Sequence, residues 1–110
     1  MDIKQIADGV AVAGQIGVED VAELAALGYR TLISNRPDSE AGAVPHEQIR
    51  AAAEAAGMTF HYIPVISGSV TDADVSAMAA AVRDAEQPVL AYCRSGTRSA
   101  ALYRQAIDSD

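Results

Sequence analysis

The amino-acid sequence predicts an α/β protein with a mainly parallel central sheet flanked by helices. Short apolar segments typical of buried strands alternate along the chain with longer stretches that have helical periodicity. This alternation favours parallel strands joined by helical crossovers. The chain has 110 residues, half of them apolar. That is enough for one domain, residues 1–110, with a core of its own.

The first half of the chain contains three of the predicted strands and two of the predicted helices. We expect strands at Ile3–Ile6, Val10–Ala13 and Thr31–Ile33, and helices at Glu19–Leu27 and His46–Ala56. Acidic residues occupy the first turn of the first helix and Gly28 follows its last turn, which are ordinary start and stop signals. Pro45 fits the first turn of the second helix, and Gly57 fits its end.

The second half continues the alternation. We expect a strand at Met58–Val65, a helix from Thr71 to about Ala85, a strand at Val89–Tyr92 and a last helix at Ser99–Ile107. Thr71 can cap its helix together with Asp74, three residues later, so capping is the simplest role for Asp72 and Asp74. In sheets of this kind ligands bind at the carboxyl ends of the strands. Residues that follow a strand are therefore the first candidates for a site.

Charge and composition exclude several classes of function. Eight basic residues against 15 acidic ones give a net charge of −7, so general binding to nucleic acid or to anionic membranes is disfavoured. No apolar run approaches the roughly 18 residues of a membrane span. The first residues lack the basic and apolar segments of a secretory signal, so we expect a cytoplasmic protein. The single cysteine, Cys93, cannot form an internal disulfide.

The strongest chemical signal follows the last predicted strand. Val89–Tyr92 delivers Cys93 to the carboxyl end of the sheet, and Arg94, Ser95, Gly96, Thr97, Arg98 and Ser99 come next. A short turn before a helix can direct backbone N–H groups at an anion. Together with two arginines this turn favours the thiolate of Cys93. A buried, inert cysteine is the alternative, but two arginines and three hydroxyls make a poor core.

The segment therefore predicts a cysteine nucleophile that meets an anion. We expect Cys93 and Arg98 to be catalytic, with Arg98 the first candidate for contact with the anion. The predicted anion-binding residues are Arg94, Ser95, Gly96, Thr97 and Ser99. The sequence does not order the two arginines, because Arg94 could instead point to solvent and steer substrates.

Other polar residues have weaker signals. Asn35 and Arg36 follow a strand, so they form either a turn stabilised by Asn and Pro or one wall of the pocket; the two roles are compatible. His46 and His61 lack partner ligands, so we expect no metal and no other cofactor. Ser67–Ser69 is predicted to be a loop near the site that can gate access.

The chain resembles a bacterial family with a dual-specificity-phosphatase-like fold. The segments that carry the resemblance are Val12–Gln15, Leu32–Glu40, Tyr62–Val65 and the loop Cys93–Ser99, whose outline is shared by rhodaneses and cysteine-dependent phosphatases. The family occurs as the N-terminal domain of β-lactamase-hydrolase-like proteins and beside sulfide-oxidation enzymes. The resemblance implies a protein-tyrosine-phosphatase-like architecture and a functional link to a persulfide-oxidising or metallo-β-lactamase-fold enzyme.

The loop spacing distinguishes between the activities that the resemblance implies. Four residues separate Cys93 from Arg98, one fewer than in phosphatases of this fold. A smaller loop suits a persulfide better than a phosphoryl group with three equatorial oxygens. Tyr92 stands where phosphatases usually have His. About thirty residues upstream, where their acidic Asp would lie, the chain has Ile63–Ser67.

We therefore expect a sulfurtransferase that moves sulfane sulfur through a Cys93 persulfide. The predicted donor is thiosulfate or a persulfide such as glutathione persulfide, and the acceptor is a thiol or cyanide. A cysteine-dependent tyrosine or dual-specificity phosphatase is the first alternative. A non-catalytic anion-binding or redox-sensing module is the second.

Overall fold

Five strands form one sheet that is parallel except at one edge. The structure, a computed structural model, describes residues 1–108. The strands are β1 (Ile3–Ala7), β2 (Val10–Ala13), β3 (Thr31–Ser34), β4 (Thr59–Tyr62) and β5 (Val89–Tyr92), and their order across the sheet is β1-β2-β5-β3-β4. β1 pairs antiparallel with β2, and all other pairs are parallel. This confirms the predicted α/β class with a mainly parallel central sheet.

Four helices cover the two faces of the sheet. They are α1 (Val18–Ala26), α2 (His46–Ala55), α3 (Asp72–Asp84) and α4 (Thr97–Asp108). α1 and α2 pack together over a core that includes Leu24, Ile49 and Leu90. α3 and α4 pack on the opposite face around Ile33, Met78 and Leu102. Because both faces are covered, the three central strands, β2, β5 and β3, are buried along their whole length.

The central strand β5 positions the segment that follows it. Val89, Leu90, Ala91 and Tyr92 are all buried, since β5 lies between β2 and β3 and under helices on both faces. The parallel pairing brings the carboxyl ends of β2, β3, β4 and β5 to the same edge of the sheet. Cys93 begins at the middle of that edge.

Two predicted elements differ from the observed ones by two or more residues at one end, and the others agree to within one residue. The strand predicted at Met58–Val65 is shorter, because its partner β3 ends at Ser34, opposite Tyr62. Ile63 N–H still donates to Ser34 O at 2.8 Å, and Val65 N–H donates to Asn35 O, beyond the end of β3, at 3.1 Å. The last helix begins at Thr97 instead of Ser99. The loop between β5 and α4 is therefore only Cys93–Gly96.

The cap predicted for α3 is confirmed. Asp74 N–H donates to Thr71 Oγ1 at 3.1 Å, and Thr71 N–H donates to Asp74 Oδ2 at 3.0 Å. Asp74 is thus committed to the helix start, and Asp72 lies on the exposed first turn beside it. Within residues 1–108, none of the helices has the length and apolar character needed to span a bilayer.

Candidate active site

Cys93 lies at the base of a cleft of about 620 Å³ at the carboxyl edge of the sheet. The residue is only 1% exposed, so access to its sulfur is through this cleft. Residues from four segments line the cleft: Arg36, Glu40 and Ala41; Ser67, Gly68 and Val70; Cys93, Arg94, Ser95 and Thr97; and Arg98 with Ala101. The segment after β3, the segment after β4 and the loop after β5 thus meet here.

The loop surrounds the Cys93 sulfur with hydrogen-bond donors. Gly96 N–H donates to Sγ at 3.1 Å, and the backbone N–H groups of Ser95 and Ser99 and the Ser99 side chain also interact with it. Burial opposes ionisation of the thiol, but these donors outweigh burial and hold the pKa of Cys93 below its ordinary value. The site therefore favours a thiolate nucleophile.

The loop can turn so tightly because position 96 is glycine. Gly96 has a φ of +91°, a backbone conformation that other residues rarely adopt. A side chain there would also approach the β2 backbone, with its Cβ 3.3 Å from the carbonyl carbon of Ala13. Next to it, Cys93 N–H donates to Ala13 O and Gln15 N–H donates to Arg94 O, both at 3.3 Å. The end of β2 thus fixes the position of the loop.

Arg98 is held in the cleft by one side of its guanidinium. Nη1 donates to Glu40 Oε2 at 2.7 Å and to Val65 O at 2.8 Å, and Nη2 donates to Glu40 Oε1 at 3.2 Å. Nε–H and the second hydrogen of Nη2 have no hydrogen-bond partner within residues 1–108. These two donors form one edge of a planar fork, which can bind an anion at two points.

Glu40 joins two arginines of the cleft, Arg36, which is buried, and Arg98, which is half-buried. Its Oε1 also accepts from Arg36 Nε at 3.1 Å. The hydrogen bond from Arg98, followed by the bond from Arg36 and the charge of both, outweighs partial burial and lowers the pKa of Glu40. Glu40 is the only carboxylate among the cleft-lining residues, and it is held in its ionised form.

Arg36 and Arg94 have different surroundings. Arg36 is 6% exposed and lines the cleft, but its guanidinium is occupied by Glu40, by Gln15 Oε1 at 3.0 Å and by Ala41 O at 2.8 Å. Arg94 is exposed at the mouth of the same cleft. Arg36 therefore forms the predicted wall, whereas Arg94 is the cation most open to an arriving anion.

The predicted anion-binding residues fall into two groups. Ser95 and Thr97 are exposed and line the cleft. Ser95 Oγ lies 3.3 Å from Thr97 Oγ1. Ser99 is fully buried and is not among the residues that line the cleft; its hydroxyl bonds to Asn35 Oδ1 at 2.8 Å. Its predicted role in binding an anion stays a prediction.

Asn35 is neither part of a surface turn nor a wall of the cleft. It is 0% exposed; its Nδ2 donates to Ile63 O at 3.0 Å, and its Oδ1 accepts from Ser99 Oγ at 2.8 Å. Its backbone N–H donates to Tyr92 O at 2.8 Å. Asn35 thus lies behind the cleft, where its side chain and backbone bond to buried partners far along the chain.

Tyr92 directs its hydroxyl away from the cleft. Its side chain belongs to the core beneath α1 and α2, and no atom of residues 1–108 makes a well-formed hydrogen bond to the hydroxyl. Burial raises the pKa of Tyr92 to about 12, although the nearby Ser34 side chain lowers it in part. Tyr92 therefore stays neutral and does not serve as an acid in the cleft.

The two histidines lie outside the cleft. The His46 ring stacks on Tyr62 with centroids 3.7 Å apart, and its Nδ1 and Nε2 lie 2.7 Å and 2.9 Å from carboxylate oxygens of Asp38 and Glu47. His61 lies on β4. Among residues 1–108, no three His, Cys, Asp or Glu side chains are grouped as metal ligands.

Sequence reasoning assigned no role to Glu40 or Val65. Both act on Arg98 from more than 30 positions away in the sequence, a distance that no local pattern reveals. The spacing of Arg36 and Glu40, four residues apart, was the one available signal for an ion pair. The predicted Ser67–Ser69 loop does border the cleft, since Ser67 and Gly68 line it.

The comparisons with known proteins identify a family. Residues 2–108 match the sequence model of one protein family, which is described as the phosphatase-like domain of β-lactamase hydrolase-like proteins. β-Lactamase hydrolase-like proteins of Xylella fastidiosa and Agrobacterium fabrum are each 38% identical over 104 residues, which is 94% of this chain and 24% of theirs. The chain thus spans about a quarter of the length of these curated relatives.

Solved structures share the fold. A candidate phosphatase from Neisseria meningitidis is 36% identical with a TM-score of 0.86, over 100% of this chain and 80% of that chain. TpbA of Pseudomonas aeruginosa, solved in complex with phosphotyrosine, is 21% identical and has a TM-score of 0.71. The match covers 98% of this chain and 65% of that chain. At this identity the likeness shows the fold alone. The protein-tyrosine-phosphatase-like architecture is thereby confirmed, and the chain belongs to the family of phosphatase-like domains of β-lactamase hydrolase-like proteins.

Proposed function

We propose that Cys93 is the nucleophile of a sulfurtransferase, which accepts sulfane sulfur as a persulfide and passes it to a second thiol or to cyanide. One observation carries this proposal: the cleft presents a stabilised thiolate, but its only carboxylate, Glu40, is held ionised between Arg36 and Arg98. The site thus supplies a nucleophile and cations without a proton donor for a leaving group.

The proposed reaction has two displacements. In the first, the Cys93 thiolate attacks the outer sulfur of thiosulfate; a new S–S bond forms, and sulfite leaves with the electron pair of the bond that breaks. In the second, an acceptor thiolate attacks the outer sulfur of the Cys93 persulfide, forms a new persulfide and releases the Cys93 thiolate. Neither step needs a metal, an oxidant or an acid, and we expect ping-pong kinetics.

Hydrolysis of an alkyl phosphate has different requirements. The departing alkoxide is strongly basic, so enzymes normally protonate it with a positioned acid. Glu40 cannot take this role while its pKa is lowered, and Asp74 caps α3. Sulfite, in contrast, leaves as a stable anion. The shorter loop from Cys93 to Arg98 also has less room for the equatorial oxygens of a phosphoryl group.

The cations of the cleft fit the proposed donor. The edge of Arg98 that remains free in the described chain can take two oxygens of thiosulfate, and exposed Arg94 can attract it from solvent. A low-molecular-weight persulfide with a carboxylate, such as glutathione persulfide, presents the same kind of charge. We propose a functional link to a persulfide-oxidising or metallo-β-lactamase-fold enzyme; the relatives' names mention only a β-lactamase hydrolase-like protein.

A second candidate function is that of a cysteine-dependent phosphatase. The family and fold comparisons favour it, and the two free donors of Arg98 would suit a phosphoryl group as well. Aryl phosphates have weakly basic leaving groups and depend less on an acid. A phosphatase with this cleft would therefore act on aryl esters, including phosphotyrosine, far better than on alkyl esters.

Parallel turnover assays distinguish the two candidates. The wild-type chain and the Cys93→Ser variant are compared for thiocyanate formation from thiosulfate and cyanide, and for hydrolysis of p-nitrophenyl phosphate. We expect thiocyanate formation by the wild type alone and little hydrolysis of the ester. Hydrolysis that depends on Cys93, without formation of thiocyanate, would favour the phosphatase and overturn the sulfurtransferase.

A further inference from the structure

Behind the cysteine, two fully buried polar residues connect the loop to the end of β3. Ser99 and Asn35 are both 0% exposed, and Ser99 Oγ lies 2.8 Å from Asn35 Oδ1. Asn35 Nδ2 donates to Ile63 O at 3.0 Å. This second bond fixes the orientation of the amide, because the nitrogen must face a carbonyl that can only accept.

The orientation of the amide determines what the Ser99 hydroxyl does. Asn35 Oδ1 can only accept, so Ser99 must donate the single hydrogen of its hydroxyl to form this bond. The Ser99 side chain is also one of the groups that lower the pKa of the Cys93 thiol, so its hydroxyl lies within reach of the sulfur. A thiolate can only accept as well. One hydrogen therefore has two acceptors, the Asn35 amide and the ionised cysteine.

We propose that Asn35 is a positioning residue of the site, which competes with Cys93 Sγ for the hydroxyl hydrogen of Ser99. When Cys93 is a thiolate, the charge-assisted bond to sulfur is the stronger one, and the hydroxyl turns toward it. When the sulfur is a neutral thiol or the inner atom of a persulfide, the hydrogen returns to Asn35 Oδ1. The Ser99 hydroxyl thus has an acceptor in every state of the cysteine: sulfur when Cys93 is ionised, and Asn35 Oδ1 when it is not.

The competition limits how strongly Ser99 stabilises the thiolate. Each ionisation of Cys93 leaves Asn35 Oδ1 without its donor, and an unpaired buried acceptor has a free-energy cost. That cost raises the pKa of the thiol relative to a site without Asn35. Since the nucleophilicity of a thiolate falls as its pKa falls, Asn35 makes the thiolate of Cys93 more reactive at the expense of a smaller ionised fraction. This function rests on the proposed role of Cys93 as the nucleophile.

The test is a cycle of the variants Asn35→Ala, Ser99→Ala and the double variant, with the pH dependence of Cys93 alkylation by iodoacetamide as the measurement. Asn35→Ala should lower the midpoint, because Ser99 then has only the sulfur to donate to. Ser99→Ala should raise it. The double variant should match Ser99→Ala, because Asn35 acts only through Ser99. Thermal unfolding of each variant checks that it folds.

Asn35→Asp provides a second variant if the alanine variant does not fold. It retains an oxygen acceptor and adds a buried negative charge, so the midpoint should rise above that of the wild type. A midpoint that rises in Asn35→Ala, or an Asn35→Ala shift that persists without Ser99, would overturn the proposal. Alkylation needs no sulfur donor, so the cycle stays informative even if sulfur transfer itself is absent.

Discussion

At the scale of single residues, the chemistry depends on how the Cys93 thiol ionises. Three backbone N–H groups and the Ser99 side chain outweigh its burial and lower its pKa. We predict that the thiolate absorbance of the folded protein titrates with a midpoint below the value of about 8.5 for a free cysteine. Cys93→Ser provides the baseline. A midpoint at or above that of free cysteine would contradict the site described above.

Glu40 provides a second prediction at this scale. Its folded-state pKa is lowered by Arg98 and Arg36, so its contribution to stability is present above the ordinary carboxyl pKa and is lost as the pH falls through the lowered one. Glu40→Gln should reduce the free energy of unfolding by about 2 kcal/mol at neutral pH.

Denaturant unfolding at several pH values measures this effect. The difference between the wild type and Glu40→Gln should shrink as the solution is acidified below the ordinary range of a carboxyl group. Glu23→Gln, an exposed change on α1, is the matched control and should have little effect. If the free energies of unfolding of the wild type and Glu40→Gln differ by the same amount at every pH, the charge of Glu40 contributes nothing to stability.

Residue roles were only partly predictable from the sequence. Cys93, Arg94 and Arg98 lie together in one loop, so local spacing was enough to suggest a site. The partners of Arg98 are Glu40, 58 positions away, and Val65, 33 positions away, and only folding brings them near. Asn is a residue type common in turns, but Asn35 is positioned by buried partners on β5, α4 and the segment after β4.

At the scale of elements, the tight connection from β5 to α4 is the feature on which the site depends. Gly96→Ala introduces a Cβ at a φ of +91° and 3.3 Å from the Ala13 carbonyl carbon. We predict a loss of stability of roughly 1–3 kcal/mol together with a higher thiol pKa, because the loop must shift and weaken the bond from Gly96 N–H to sulfur.

Thr71→Ala is the control for this prediction. It removes the cap of α3 and should reduce stability by about 1 kcal/mol, but it does not touch the loop. Thermal unfolding and the alkylation midpoint are measured for both variants. If Gly96→Ala loses stability and leaves the midpoint unchanged, the loop does not control the thiolate in the way described here.

Element boundaries show where sequence patterns stop being informative. The types and order of all nine elements were predictable from periodicity and turn residues. The apolar run after Met58 suggested a strand as far as Val65, but β4 ends at Tyr62 because its partner β3 ends opposite it, at Ser34. Contacts of the backbone with another strand end decide such a boundary, and side-chain patterns do not report them.

At the scale of the whole molecule, the sheet order explains why one short chain can assemble this cleft. With β5 in the centre, the ends of β2, β3 and β4 lie around Cys93 on both sides. β2 supports the loop through Ala13 and Gln15, β3 leads to Arg36 and Glu40, and β4 leads to Val65. A candidate phosphatase shares this architecture, so the fold by itself does not determine the chemistry of the cleft.

The most direct test of the sulfurtransferase is the intact mass of the reduced protein after brief exposure to thiosulfate, beside Cys93→Ser. We predict that the wild type alone gains one sulfur atom and loses it when cyanide or a thiol is added. A reduced and alkylatable Cys93 that takes up no sulfur, from thiosulfate or from glutathione persulfide, would contradict the proposed function.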